Sequence, residues 1–142
     1  MKLITEELNI TFEYEGEQYS GFIATIKKTS LGYNDRGFFS ADLQLSWLGG
    51  GVTFGGYALD GKPERKDNND WNAPRTPTKY GHAFIIEILK TVGVSTWEEL
   101  QGQRVVALFE GSSYAGSIIK GIMGLESREV FFPKYLSVSE EG

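Results

Sequence analysis

Between Phe39 and Trp47 every second residue is apolar. Phe39, Ala41, Leu43, Leu45 and Trp47 fall on one side of the pattern and Ser40, Asp42, Gln44 and Ser46 on the other, the period-2 signature of a strand with one face in a core and one in water. The chain must therefore build a sheet. A second alternating run, Ile10, Phe12 and Tyr14 against Thr11, Glu13 and Glu15, leads through an EGEQ turn to YSGFIATIKKT. Residues 8 to 29 thus predict a hairpin whose second strand ends at Lys27 and Lys28. Gly32, Asn34, Asp35 and Gly37 in LGYNDRG form the turn into the Phe39 strand.

Glycines then crowd the stretch WLGGGVTFGGYALDGK. Gly49 to Gly51 suit a hairpin connection. VTFGGYAL suits a fourth strand, bent at Gly55 and Gly56, where a bulge forms or something packs against bare backbone. Residues 60 to 79 hold three of the four prolines, nine charges and Trp71, which predicts a long polar loop.

From Tyr80 the period changes. Phe84, Ile85, Ile88, Leu89 and Val92 make one stripe of a helix ending near Gly93, and Ser95 with Glu98 resembles a capping box opening a short second helix stopped at Gly102. RVVALFE and GSIIKGIM read as two strands joined by GSSYAG, and EVFFP as a last edge strand ended by Pro133. The expected fold is α+β, a largely antiparallel sheet of about six to seven strands packed against one main helix plus a short one. Residues 1–142 form a single domain with a frayed tail at 137–142.

Composition narrows the chemistry. The chain has no Cys, so thiol nucleophiles, disulfides and Cys-ligated zinc are excluded. A net charge of −5 works against sequence-blind binding of long duplex nucleic acid, which draws on many Lys and Arg contacts. It leaves room for a small anionic ligand. The N-terminus lacks the unbroken apolar run of a signal peptide, and no stretch reaches the length of a membrane span.

Known catalytic patterns fail one by one. Gly56 and Gly61 with Lys62 mimic a phosphate loop, but Pro63 stands where the magnesium-holding hydroxyl belongs. GSSYAG has Ala115 in place of the second Gly of a nucleophile elbow. His82 is the only histidine, and no metal-binding spacing surrounds it. No catalytic residue, metal or cofactor is expected. A binding surface remains: aromatic faces that stack on bases, with Arg or Lys reaching phosphate, are how proteins hold short nucleotides and single strands. Phe54 and Tyr57 beside the bare glycines, then Trp71, Arg75, Lys79, Tyr80 and His82, are the candidate contacts.

SLGYNDRGFFSADLQLSW, FGGYALDG, YGHAFIIEILKTVGVSTWEEL and GQRVV together resemble a widespread set of small proteins of tailed bacteriophages and prophages, over about residues 29 to 108. Such proteins often have a short connection after GGYALD, where this chain carries a longer charged one. The resemblance implies a virus-encoded protein in the cytoplasm of a bacterial host. The expected role is non-enzymatic: counteracting host anti-phage defence by sequestering a small nucleotide signal or blocking a host protein, with a homo-oligomer as a way to enclose a pocket. The alternatives are a single-stranded DNA-binding accessory of replication or recombination, and a small enzyme acting on nucleotides.

Overall fold

The computed structural model describes residues 10–61, 75–111 and 118–137. Strands β1 (Ile10–Tyr14) and β2 (Glu17–Tyr33) form the first hairpin, and β3 (Phe39–Trp47) and β4 (Gly50–Gly55) the second. Asp60–Gly61 (β5) pairs with Thr76–Pro77 (β6) in a two-stranded ribbon, so the edges of the expected long loop are regular. Helix α1 spans Lys79–Val92, followed by β7 (Arg104–Glu110), β8 (Ile119–Gly124) and β9 (Val130–Phe131). The main sheet runs β4-β3-β2-β7-β8-β9, with β1 also on β2, and every pairing is antiparallel. This is the α+β architecture the sequence predicts. Residues 8 and 9 of the predicted hairpin, residues 112–116 of the GSSYAG turn, Trp71 and residues 138–142 lie outside the described residues.

Strand β2 organises the sheet. Its first half pairs with β7, Tyr19 to Thr25 against Glu110 to Arg104, and its second half pairs with β3, Thr25 to Tyr33 against Ser46 to Phe39. The expectation that the strand stops at Lys27 and Lys28 is corrected: the register shifts between Ile26 and Lys28, Lys27 is the extra residue of a bulge, and the strand continues to Tyr33. A bulge leaves both lysines in water without ending the ladder. Asn34 then closes the turn, its side-chain oxygen accepting from the amides of Arg36 at 2.9 Å and Phe38 at 3.3 Å.

The sheet curls until β4 approaches β8, and α1 covers the opening. Helix residues Phe84 and Ile88 are fully buried. The Phe84 ring stacks on Phe54 at 6.2 Å and meets Phe131 edge-on at 5.2 Å, joining helix, β4 and β9 in one cluster. Burying such a ring is worth about 2–3 kcal/mol. The helix starts at Thr78, whose hydroxyl accepts from the Gly81 amide at 2.9 Å, and ends at Gly93, in the left-handed region with φ 92°. The second helix is a single 3-10 turn, Trp97–Glu99, capped one residue later than the Ser95–Glu98 expectation: Glu99 accepts from the amide of Thr96 at 2.9 Å and of Ser95 at 3.1 Å. Ser95 shares the carboxylate without being the cap.

Strand β7 is buried on both sides, which explains its unbroken apolar run. Val105, Ala107 and Phe109 face the helix, while Val106 and Leu108 join Tyr19 and Phe132 in a second cluster. There the Tyr14 ring stacks on Phe132 at 4.8 Å. EVFFP is thus a strand only at Val130–Phe131; Phe132 turns into this second core and Pro133 begins a 3-10 turn to Tyr135.

Candidate ligand-binding site

After β4 the chain swings away from and back to β3. Gly55, with φ 102°, lies so close to the Ala41 carbonyl that a side chain would strike it, the Gly56 amide donates to that carbonyl at 2.8 Å, and the Leu59 amide rejoins at Phe39 O, also 2.8 Å. What packs against the bare glycine is therefore the chain's own backbone. The detour pushes Tyr57 outward and sends Leu59 into the core. Thr78 locks the return, its hydroxyl donating to Leu59 O at 2.6 Å, so segment 57–60 and the first turn of α1 form one wall with a hollow bordered by each of its parts.

The first hollow holds about 360 Å³ between Tyr57, Tyr80, Ile118, Lys120, Pro133 and Lys134. Burial pushes both tyrosine hydroxyls above their ordinary pKa, Tyr80 being raised further by Tyr57, so both stay neutral donors at physiological pH. Each ring leans on Phe84, at 6.0 Å and 6.1 Å, which fixes its orientation. The Lys134 ammonium sits 3.1 Å from a Glu17 carboxylate oxygen and 5.1 Å from the Tyr135 ring centroid. Its pKa is raised by the hydrogen bond to Glu17. Two phenols and two ammonium groups around an apolar floor can hold a planar ring and an anion together.

The second hollow, of about 200 Å³, is lined by Tyr33, Phe39, Leu59, Asp60, Pro77 and Thr78. Arg75 grips the Asp60 of this lining: the guanidinium Nε donates to Asp60 Oδ1 at 2.9 Å, a second nitrogen donates to the Asp60 carbonyl at 3.1 Å, and the group stands 5.9 Å from the Phe38 centroid.

The structure sorts the sequence candidates. Tyr57 and Tyr80 come together in one hollow. Phe54 is corrected: it is wholly buried against Phe84 and Phe131, because β4 turns it inward, and no ligand reaches it. Arg75 serves Asp60 in place of an open contact. Lys79 and His82 are exposed and line neither hollow, and Trp71 lies outside the described residues. Lys120, Lys134 and Ile118 carry no local signal in the sequence, since only the closing of the sheet brings them to Tyr57.

The outward face of β2, β3 and β4 is polar, pairing Lys28 with Gln44, Ser30 with Asp42, Gln44 with Thr53 and Ser46 with Gly51. Burial raises the Asp42 carboxyl despite the opposing pull of Lys28. Tyr33, opposite Phe39, and Tyr57, against Phe84, belong to the helix side of the sheet and not to this face. Among the described residues no three His, Asp or Glu side chains gather as a metal site, and no helix is long and apolar enough to cross a membrane. Comparison of the chain with protein-family profiles, curated proteins and solved structures finds no match.

Proposed function

We propose that this protein binds single-stranded nucleic acid without transforming it, as a bacteriophage accessory of replication or recombination working in the host cytoplasm. The observation that carries this reading is the connectivity: a long first barrel strand, β2, shared between β3 and β7, with β4 approaching β8 and a helix inserted between β4 and β7. That is the plan of the OB barrel, a partly open five-stranded Greek key whose second and third strands and neighbouring loops hold oligonucleotides. The warrant is fold analogy, and the cleft supplies independent chemical support. Tyr57 and Tyr80 offer rings, and Lys120 and Lys134 offer phosphate contacts.

Fluorescence anisotropy with a labelled octamer over a salt series tests it. Single-strand binding should weaken with salt, the slope of log K against log salt being about −0.7 per phosphate contacted. Absence of binding at low salt refutes the proposal.

A second reading is favoured by the net charge of −5 and the compact cleft: sequestration of a small nucleotide signal of host defence. A thermal shift with cyclic dinucleotides, and none with octamers, would select it; a ligand at a hundred times its Kd stabilises by about 2.7 kcal/mol.

A further inference from the structure

Asp60 uses only half of its carboxylate. Oδ1 accepts from the Phe39 amide at 3.2 Å and from Arg75 at 2.9 Å, whereas Oδ2 is buried and has no hydrogen-bond partner. The side chain is 6% exposed and lines the second hollow. A buried acceptor left unpaired is unfavourable, so its retention points to a donor that arrives from outside. Arg75 already balances the charge, so the donor need not be a cation. Phosphate is a poor occupant, as it brings acceptors to an acceptor.

The other walls define the donor's shape. Phe39, Leu59 and Pro77 make the hollow largely apolar, and its volume of about 200 Å³ is smaller than a drug-sized pocket, roughly 300–1,000 Å³, which suits a single ring system. At the rim stands Tyr33, 71% exposed, its ring held edge-on to Phe39 at 5.4 Å. An exposed ring steadied by a second ring is a stacking platform.

We infer that this hollow takes one unpaired nucleobase, stacked on Tyr33 with its donor edge on Asp60 Oδ2, and that it selects guanine over thymine. Guanine presents N1–H beside an amino group, so the donor that meets Oδ2 is flanked by a second N–H that the carboxylate attracts. Thymine presents a single N–H between two carbonyl oxygens, which the carboxylate repels. The inference rests on the single-strand reading and adds to it a base preference.

The test compares labelled d(TG)4 with dT8 by anisotropy on the full chain. The alternating octamer should bind roughly tenfold more tightly. Asp60→Asn keeps an acceptor for Phe39 and Arg75 and puts an amide NH2 at the free position, so the preference should vanish or turn toward thymine. Tyr33→Ala, at an exposed site, should weaken both octamers alike while leaving the melting temperature unchanged. Equal binding of the two octamers by the unaltered protein overturns the base preference and leaves single-strand binding standing. Binding of neither overturns both. A preference that survives Asp60→Asn in a protein that still folds overturns the role given to Asp60.

Discussion

The α-carbon of Gly81 is pressed against the carbonyl of Leu59, so closely that a methyl group there would overlap the oxygen. This contact seats the first turn of α1 on the segment that borders both hollows. Gly81→Ala would ordinarily gain about 1 kcal/mol of helix propensity. Here the clash is with backbone that cannot swing aside, and overpacking of this kind costs roughly 1–3 kcal/mol, with the Leu59–Asp60 segment displaced as well. Urea denaturation should show a net loss of stability, and single-strand binding should weaken with it.

Thr78 fixes the same junction by two bonds, to Gly81 N and to Leu59 O. Thr78→Ala should cost about 1–2 kcal/mol, and Thr78→Ser, which keeps the hydroxyl, only a small part of that. Equal losses from the two variants, read by thermal melting, would mean the methyl group and not the cap matters.

Lys120 and Lys134 differ in availability. Lys134 is held by Glu17 in an exposed pair that water and salt screen. Lys120→Gln should therefore reduce the salt slope of octamer binding by about 0.7, with Lys134→Gln doing less. Glu17→Gln should tighten binding by freeing Lys134, at little cost in melting temperature.

Alkaline pH should loosen the fold. Tyr19 is pushed up to about 12, first by burial and then by neighbouring Tyr135, and burial also raises Tyr57 and Tyr80. An acid whose folded pKa is raised holds its proton longer folded than unfolded, so its stabilising effect is whole below about 10 and is lost as pH climbs from about 10 toward 12. Melting temperature should fall across that window, and Tyr19→Phe should flatten the fall. An unchanged slope in that variant would assign the effect elsewhere.

Strand β3 and helix α1 were legible because each faces one core, so its apolar period survives in the sequence. Lys27 and Lys28 misled for the opposite reason: a bulge puts two neighbouring residues in water, which reads like a strand end. Phe54 stands beside glycines, but Gly55 accommodates the Ala41 backbone and not a ligand. The Tyr57–Lys120 neighbourhood and the free oxygen of Asp60 depend on how the sheet closes and on which bonds Arg75 and Phe39 take, and no local spacing encodes either.

The seventeen-residue β2 also sets a timetable for synthesis. Its second half finds β3 almost as soon as both have left the ribosome, while the partner on the far edge of its first half, Arg104–Glu110, is translated after the whole helix. At roughly 5–20 residues per second, that half waits seconds with a bare flank on the nascent chain. Slower translation before residue 104 or scarce chaperone should therefore lower the soluble yield more than any substitution in the later-made strands.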